Sequence, residues 1–342
     1  MSTGLSSKLA FCYGLLGITL SPMVFFIFVG ARADIAGVAA TKWLLMLLGA
    51  AHVPATLAFY ADPGFRQIAA HNPWRYLRAP IALIVGSGLV FAASSAPAQG
   101  LFYCVFWLWL IWHYGRQNVG VNAFISIGAS GRTPHVFERR LITAGVVAGM
   151  FGILRVLAVD VVPSDFKPLV MDLYHVGFGV YALVAVATLV HLVAHRENFS
   201  ALGLVSFLTC VFFFVPMYLT RGMDGMFLSY AITHGCQYIL FMGVTAASLS
   251  AMPDSPRLKT AALAAMLAFA CLLGWVNSSI VDLKTGADQI QATRVLDFLV
   301  GAVLGLTMSH FVVDAGIWRL SQKAQREYLG QKFAFLLASG KN

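Results

Sequence analysis

The sequence predicts an all-α protein: a polytopic integral-membrane bundle of about ten transmembrane helices, with the N and C termini both cytoplasmic. Three observations carry that expectation. Hydrophobic residues make up 59% of the chain and charged ones only 11%, a ratio that leaves too little polar surface for a soluble domain but suits helices that are apolar all round. The apolar residues gather in runs close to the ~20 positions a bilayer crossing needs. The basic residues fall unevenly on the loops that would face the two sides of a membrane.

Taken in order, the runs are Leu9–Val29, Trp43–Tyr60, Pro80–Ser95, Leu101–Gly120, Leu141–Val161, Leu169–Val190, Ala201–Thr220, Met226–Ser248, Thr260–Val276 and Val295–Ile317. The fourth is the least tidy, because apolar sequence resumes after Gln117 and Asn118. The first run is not followed by a small-residue cleavage site and reads as a retained helix. With the N-terminus inside, 15 Lys and Arg fall in cytoplasmic segments and six in outer loops. The net charge of +9 is therefore a signature of topology and does not point to nucleic acid. No linker or charge block divides the chain, so residues 1–320 read as one transmembrane domain. Residues 321–342 read as a cytoplasmic amphipathic tail, in which Tyr328, Phe333 and Phe335 accompany Lys and Arg. The segment Phe65–Arg78 has the same interfacial mixture. The five cysteines sit in apolar runs without CxxC spacing and read as packing residues.

Histidine carries the chemistry. The chain has nine. His71 and His135 belong to cytoplasmic loops, and the other seven all fall on even-numbered spans, which run from outside to inside. Counting ~1.5 Å per residue, His52 and His234 lie near mid-membrane, while His113 and His310 lie past it toward the cytoplasm. His191 and His195 lie at the cytoplasmic end of their span, and His175 alone lies near the outer surface. Intramembrane ionisable residues face the bundle interior, so His52, His113, His191, His195, His234 and His310 form the candidate metal set. The four-residue spacing of His191 and His195 puts both on one helix face. His310 and Asp314 share that spacing, and Asp314 reads as a ligand or as the acceptor that orients a histidine. Gln117 and Tyr238 are the candidates for polarising substrate or oxygen.

Imidazole suits iron, copper and zinc. Glu138, Glu197 and Glu327 lie outside the apolar runs, which removes the ligands of a carboxylate-bridged di-iron bundle. Non-haem iron bound mainly by histidine is the leading expectation. The function that follows is an oxygenase or related oxidoreductase acting on a lipophilic substrate that enters from the lipid, with room for an electron donor. A haem-binding electron carrier and a proton or metal transporter are the alternatives. The expected location is multi-pass in a bacterial inner membrane.

The order of His52, HYGRQN at His113, HLVAHRENF at His191 and THGCQYIL at His234 resembles the Brp/Blh family of membrane β-carotene dioxygenases. The resemblance covers about Ala51 to Leu240 and implies His52, His113, His191 and His195 as iron ligands. This chain departs from the family at Val53 and Pro54 after the first histidine, and at Gln117 and Asn118, where the family motif ends in an acid. The dense histidine boxes of fatty-acid desaturases and alkane hydroxylases are missing, since the chain holds one HxxxH pair and no adjacent histidines.

Overall fold

The computed structural model describes residues 2–28, 49, 51–155, 157, 162, 164–219, 223–248, 256–285 and 294–337. Val29, residues 43–48 and 50, Val156, residues 158–161, Thr220 and residues 338–342, which belong to the expected spans and tail, lie outside the described residues. Every regular element among the described residues is helical. In chain order these are α1 (Ser2–Phe28), α2 (His52–Ala55) running into a 3-10 turn (Thr56–Ala61), α3 (Pro63–His71), and a π-turn (Trp74–Arg78) leading into α4 (Ala79–Ala93). There follow α5 (Ala96–Ser130), α6 (Val136–Gly152), α7 (Lys167–His195), α8 (Ala201–Val211), α9 (Pro216–Leu219) and α10 (Met223–Ala247). The last four are α11 (Pro256–Thr285), α12 (Arg294–Ile317), α13 (Lys323–Lys332) and α14 (Ala334–Leu337).

Local sequence explains where several helices begin. Asp62 caps α3, its carboxylate accepting from the Gly64 N–H at 2.8 Å, and Pro63 supplies a preset first position. Ser200 caps α8 through the Gly203 N–H. His135 caps α6 through the Phe137 N–H, with Glu138 in the first turn.

Among the described residues, three helical stretches are long and apolar enough to cross a membrane: Trp74–Ala93, Ser164–Asn198 and Arg294–Ile317. The surface of α7 fits that reading. Leu183, Val186, Leu189, Val190 and Val193 are all more than 60% exposed, a continuous apolar face that water would not favour. The helix α5, 35 residues long, runs straight through Gln117 and Asn118 to Ser130, well past the expected end at Gly120.

The chain clusters into two compact units, each assembled from separate stretches of sequence. The first comprises Met1–Gly37, Tyr103–His234 and Phe335–Asn342; the second comprises Val38–Phe102 and Gly235–Ala334.

In the first unit, α6 packs on α7 and α8. The expected seventh span, Ala201–Thr220, is broken between α8 and α9 just before Pro216, whose ring and missing N–H cannot continue a helix. Tyr181 on α7 repairs the break. Its hydroxyl donates to the Val211 carbonyl at 2.8 Å and accepts from the Phe214 N–H at 3.3 Å. One side chain thus satisfies a carbonyl and an N–H at the break.

In the second unit, α12 lies along α4. Glycines set the approach: a Cβ at Gly301 would stand 2.5 Å from the Ser87 carbonyl oxygen, and one at Gly305 would collide with the Leu83 carbonyl. Close backbone approach across small residues is how helices associate where lipid competes for apolar contacts. Ser309, one turn beyond Gly305, donates to the Pro80 carbonyl at 2.9 Å.

The segment after α12 packs on the rest of the chain. The α13 helix buries Gln325, Tyr328, Leu329 and Lys332 within the second unit. Lys332 Nζ sits 2.7 Å from Asp62 Oδ2 and donates to the Ser248 carbonyl at 2.8 Å. Both charges of the pair are at most 5% exposed.

These contacts set the response of the fold to substitution. Lys332→Met strands the Asp62 carboxylate and is expected to cost about 3–5 kcal/mol, whereas Lys332→Met combined with Asp62→Asn is expected to recover most of it. Tyr181→Phe leaves the Val211 carbonyl unpaired and is expected to cost about 1–3 kcal/mol. Thermal unfolding of the detergent-purified protein measures both.

Candidate functional site

Each unit carries its own buried histidine pair. In the second unit, His52 opens the short α2, while His310 and Asp314 lie one turn apart on α12, just beyond the contact that Ser309 makes with α4. The His52 and His310 rings meet edge to face with centroids 5.0 Å apart, and Tyr238 of α10 stands 4.8 Å from His310 and 5.8 Å from His52. A ring nitrogen of His52 lies within 4.8 Å of one on His310, and a His310 nitrogen lies within 4.8 Å of an Asp314 carboxylate oxygen. His52 and His310 are each 2% exposed and Asp314 is 5% exposed.

Thr56, at the start of the 3-10 turn, connects the aromatic groups. Its Oγ1 is 2.6 Å from His310 Nδ1 and 2.8 Å from the Tyr238 hydroxyl. The chain of protons can run two ways. When Nδ1 is protonated it donates to Thr56, Thr56 donates to Tyr238, and Nε2 keeps a lone pair for a metal. In the opposite order Tyr238 donates to Thr56, Thr56 donates to Nδ1, and Nε2 carries the proton. A metal on Nε2 therefore selects the first order. Asp314 accepts from the Trp318 indole N–H one turn further along α12. That bond holds one carboxylate oxygen in place, as the partners of metal-binding carboxylates do.

In the first unit, His113 on α5 and His234 on α10 form a second pair, centroids 4.8 Å apart at 76°. The Tyr114 ring packs on His234 at 4.3 Å, and the Gln117 amide donates to the His234 carbonyl at 3.3 Å. Gln117, expected to meet substrate or oxygen, thus holds the backbone that carries a histidine. Gly115 lets α6 come close, since a Cβ there would collide with Val146.

His191 and His195 form a third group, at the end of α7, with centroids 4.8 Å apart. Their partners are different. His191 Nε2 is 3.5 Å from Glu138 Oε1, and Glu138 is held by both Arg132 guanidinium nitrogens at 2.7 and 3.1 Å. The Arg132 guanidinium also lies over the Phe199 ring at 4.6 Å. His191 is buried and His195 is exposed. Glu138 was not among the expected site residues, because it stands outside the apolar runs. The available signal was local: Arg132 and Glu138 bracket the capping residue His135 in the segment GRTPHVFE. His71 bonds the Gln67 carbonyl at 2.7 Å, and His175 is exposed.

The second unit also contains an apolar groove of about 410 Å³, lined by α2 and its 3-10 turn, α10 and α11. Pro54, Ala55 and Leu57 form one wall, and Met242, Met266 and Phe269 form another. Leu57 and Phe269 are 41% and 48% exposed, so the groove opens outward. Its first wall flanks Thr56 in sequence and begins two residues after His52.

Comparison with protein-family models, with curated proteins and with solved structures finds no match to this chain.

Thr56→Val removes the hydroxyl common to His310 and Tyr238 while keeping its shape. Nitrogen NMR of histidine-labelled protein is expected to show His310 losing its bonded Nδ1 signal in that variant and keeping it in Thr56→Ser. An unchanged spectrum in Thr56→Val is the contrary result.

Proposed function

We propose that this chain is a multi-pass protein of a bacterial cytoplasmic membrane, with about ten spans and both termini inside, and that it is a non-haem iron oxidoreductase of oxygenase type acting on a lipophilic substrate. The observation that carries the proposal is that, within the second unit, buried His310 lies within 4.8 Å of a His52 ring nitrogen and within 4.8 Å of an Asp314 carboxylate oxygen, in the same unit as an outward-opening apolar groove. Two imidazoles and a carboxylate are the donor set of iron sites that keep coordination positions open. Bound iron supplies the one-electron and dioxygen chemistry that amino-acid side chains lack.

The chain's own residues have the remaining work. His310 would hold the metal, with His52 and Asp314 as the neighbours that would complete its ligand set. Thr56 and Tyr238 fix the His310 tautomer, and the Tyr238 hydroxyl stands at hand as a proton donor. The groove would accept an apolar chain, and its open mouth at Leu57 and Phe269 would admit a membrane-dissolved substrate. The pairs His113–His234 and His191–His195 are the candidates for a second metal, and an electron donor completes the partners.

The ring contacts favour this reading over a haem carrier. The histidine pairs touch edge to face with centroids 4.8–5.0 Å apart, which leaves no space for a macrocycle between two axial ligands.

Elemental analysis and a visible spectrum of detergent-purified protein decide the matter. About one iron per chain without a Soret band is expected for a histidine-carboxylate site. His310→Ala is expected to lose that iron, and Thr56→Val to weaken its binding by about 10–100-fold. A folded wild-type protein that takes up no iron overturns the proposal, and a Soret band turns it toward haem.

A further inference from the structure

On one face of α5, at four-residue spacing, stand Asn118, Asn122, Ser126 and Ser130. Ser130 lies at the exposed end of the helix, and the other three are buried to within 1%. Followed back one turn at a time from Ser130, the face enters the first unit for about 18 Å, at ~1.5 Å per residue. It ends at Asn118, five residues after His113 on the same helix.

The three buried side chains share a further property. Among the described residues, neither polar atom of the Asn118 amide has a hydrogen-bond partner, nor does the Asn122 amide nitrogen, nor the Ser126 hydroxyl. The Asn122 carbonyl oxygen is satisfied by Ser206 of α8 at 3.1 Å. Several helical hydroxyls bond back to the carbonyl four residues earlier, as Thr188, Thr209, Thr245 and Ser130 do, whereas Ser229 and Thr233 of α10, like Ser126, make no bond among the described residues. Ser126 is turned away from that bond.

An amide or hydroxyl buried among apolar side chains needs a partner. Here several in register present donors and acceptors together and bring no charge, so the ligand they suit is neutral and able both to give and to accept hydrogen bonds. We infer that the Asn118–Asn122–Ser126 face of α5 lines an internal water chain that opens at the helix end beside Ser130 and reaches the turn that follows His113. Buried waters satisfy otherwise unmatched polar groups with about three bonds each, and the four-residue spacing supplies a new polar group on each turn. The inference stands apart from the iron proposal, since it rests on neutral side chains and on no metal ligand.

Hydroxyl-radical footprinting of the full-length protein in detergent tests it through two native cysteines. Cys210 lies one turn beyond Ser206 on α8, and Ser206 bonds the Asn122 side chain. Cys12, equally buried, lies against Gly128, about 200° round α5 from Ser126. Radicals formed from the internal water are expected to oxidise Cys210 about tenfold faster than Cys12. Asn118→Leu with Asn122→Leu is expected to abolish that difference, and Asn118→Ser with Asn122→Ser to preserve it. If the leucine pair does not fold, the wild-type ratio decides alone. Equal, slow oxidation of both cysteines in folded wild-type protein means a dry interior and overturns the inference. Protection of Cys210 by a co-purifying organic molecule, detected by native mass spectrometry, overturns it equally.

Discussion

Where α12 lies against α4 decides where His310 and Asp314 stand. Gly301 and Gly305 let the two backbones come closer than any side chain would allow, and Ser309 fastens the register through the Pro80 carbonyl. His310 is the next residue. Its contacts with His52, Tyr238 and Thr56 therefore inherit their geometry from a helix crossing that involves no histidine at all. A larger residue at Gly301 or Gly305 would push α12 away and move the imidazole with it.

Elsewhere the architecture is governed by what happens to polar groups inside an apolar interior. Tyr181 serves a broken helix from a neighbouring one. Arg132 grips Glu138 with two bonds, and Glu138 in turn stands beside His191. Thr56 serves two aromatic rings with a single hydroxyl. In each case a side chain from a distant part of the sequence, or from the next loop, completes the pairing, because water is not available in enough quantity to do so.

Those pairings mark the limit of what the sequence discloses. The helical class was legible in composition and run length, and the shared face of His310 and Asp314 in their four-residue spacing. The same spacing brought His191 and His195 into ring contact. Glu138 was hidden because hydropathy places it outside a span, although the fold buries it. The break before Pro216 was masked by apolar residues on both sides, since an apolar run reports burial and not continuity. Lys332 looked like part of an interfacial tail because its neighbours are amphipathic, and only the fold reveals Asp62 as its partner. The polar positions of α5 were visible as too polar for lipid, but their common face emerges only when the helix is seen to continue to Ser130.

The Asp62–Lys332 pair has a bearing on biosynthesis. Its two members come from the two separate stretches that make up the second unit. During synthesis Asp62 emerges long before Lys332 has been translated, and its charge must meanwhile stay hydrated. Burial of that carboxylate is thereby held back until α13 arrives, which makes it a late event in assembly. Completion of the second unit is then coupled to emergence of α13, and a nascent chain stalled before Lys332 presents an unshielded acid.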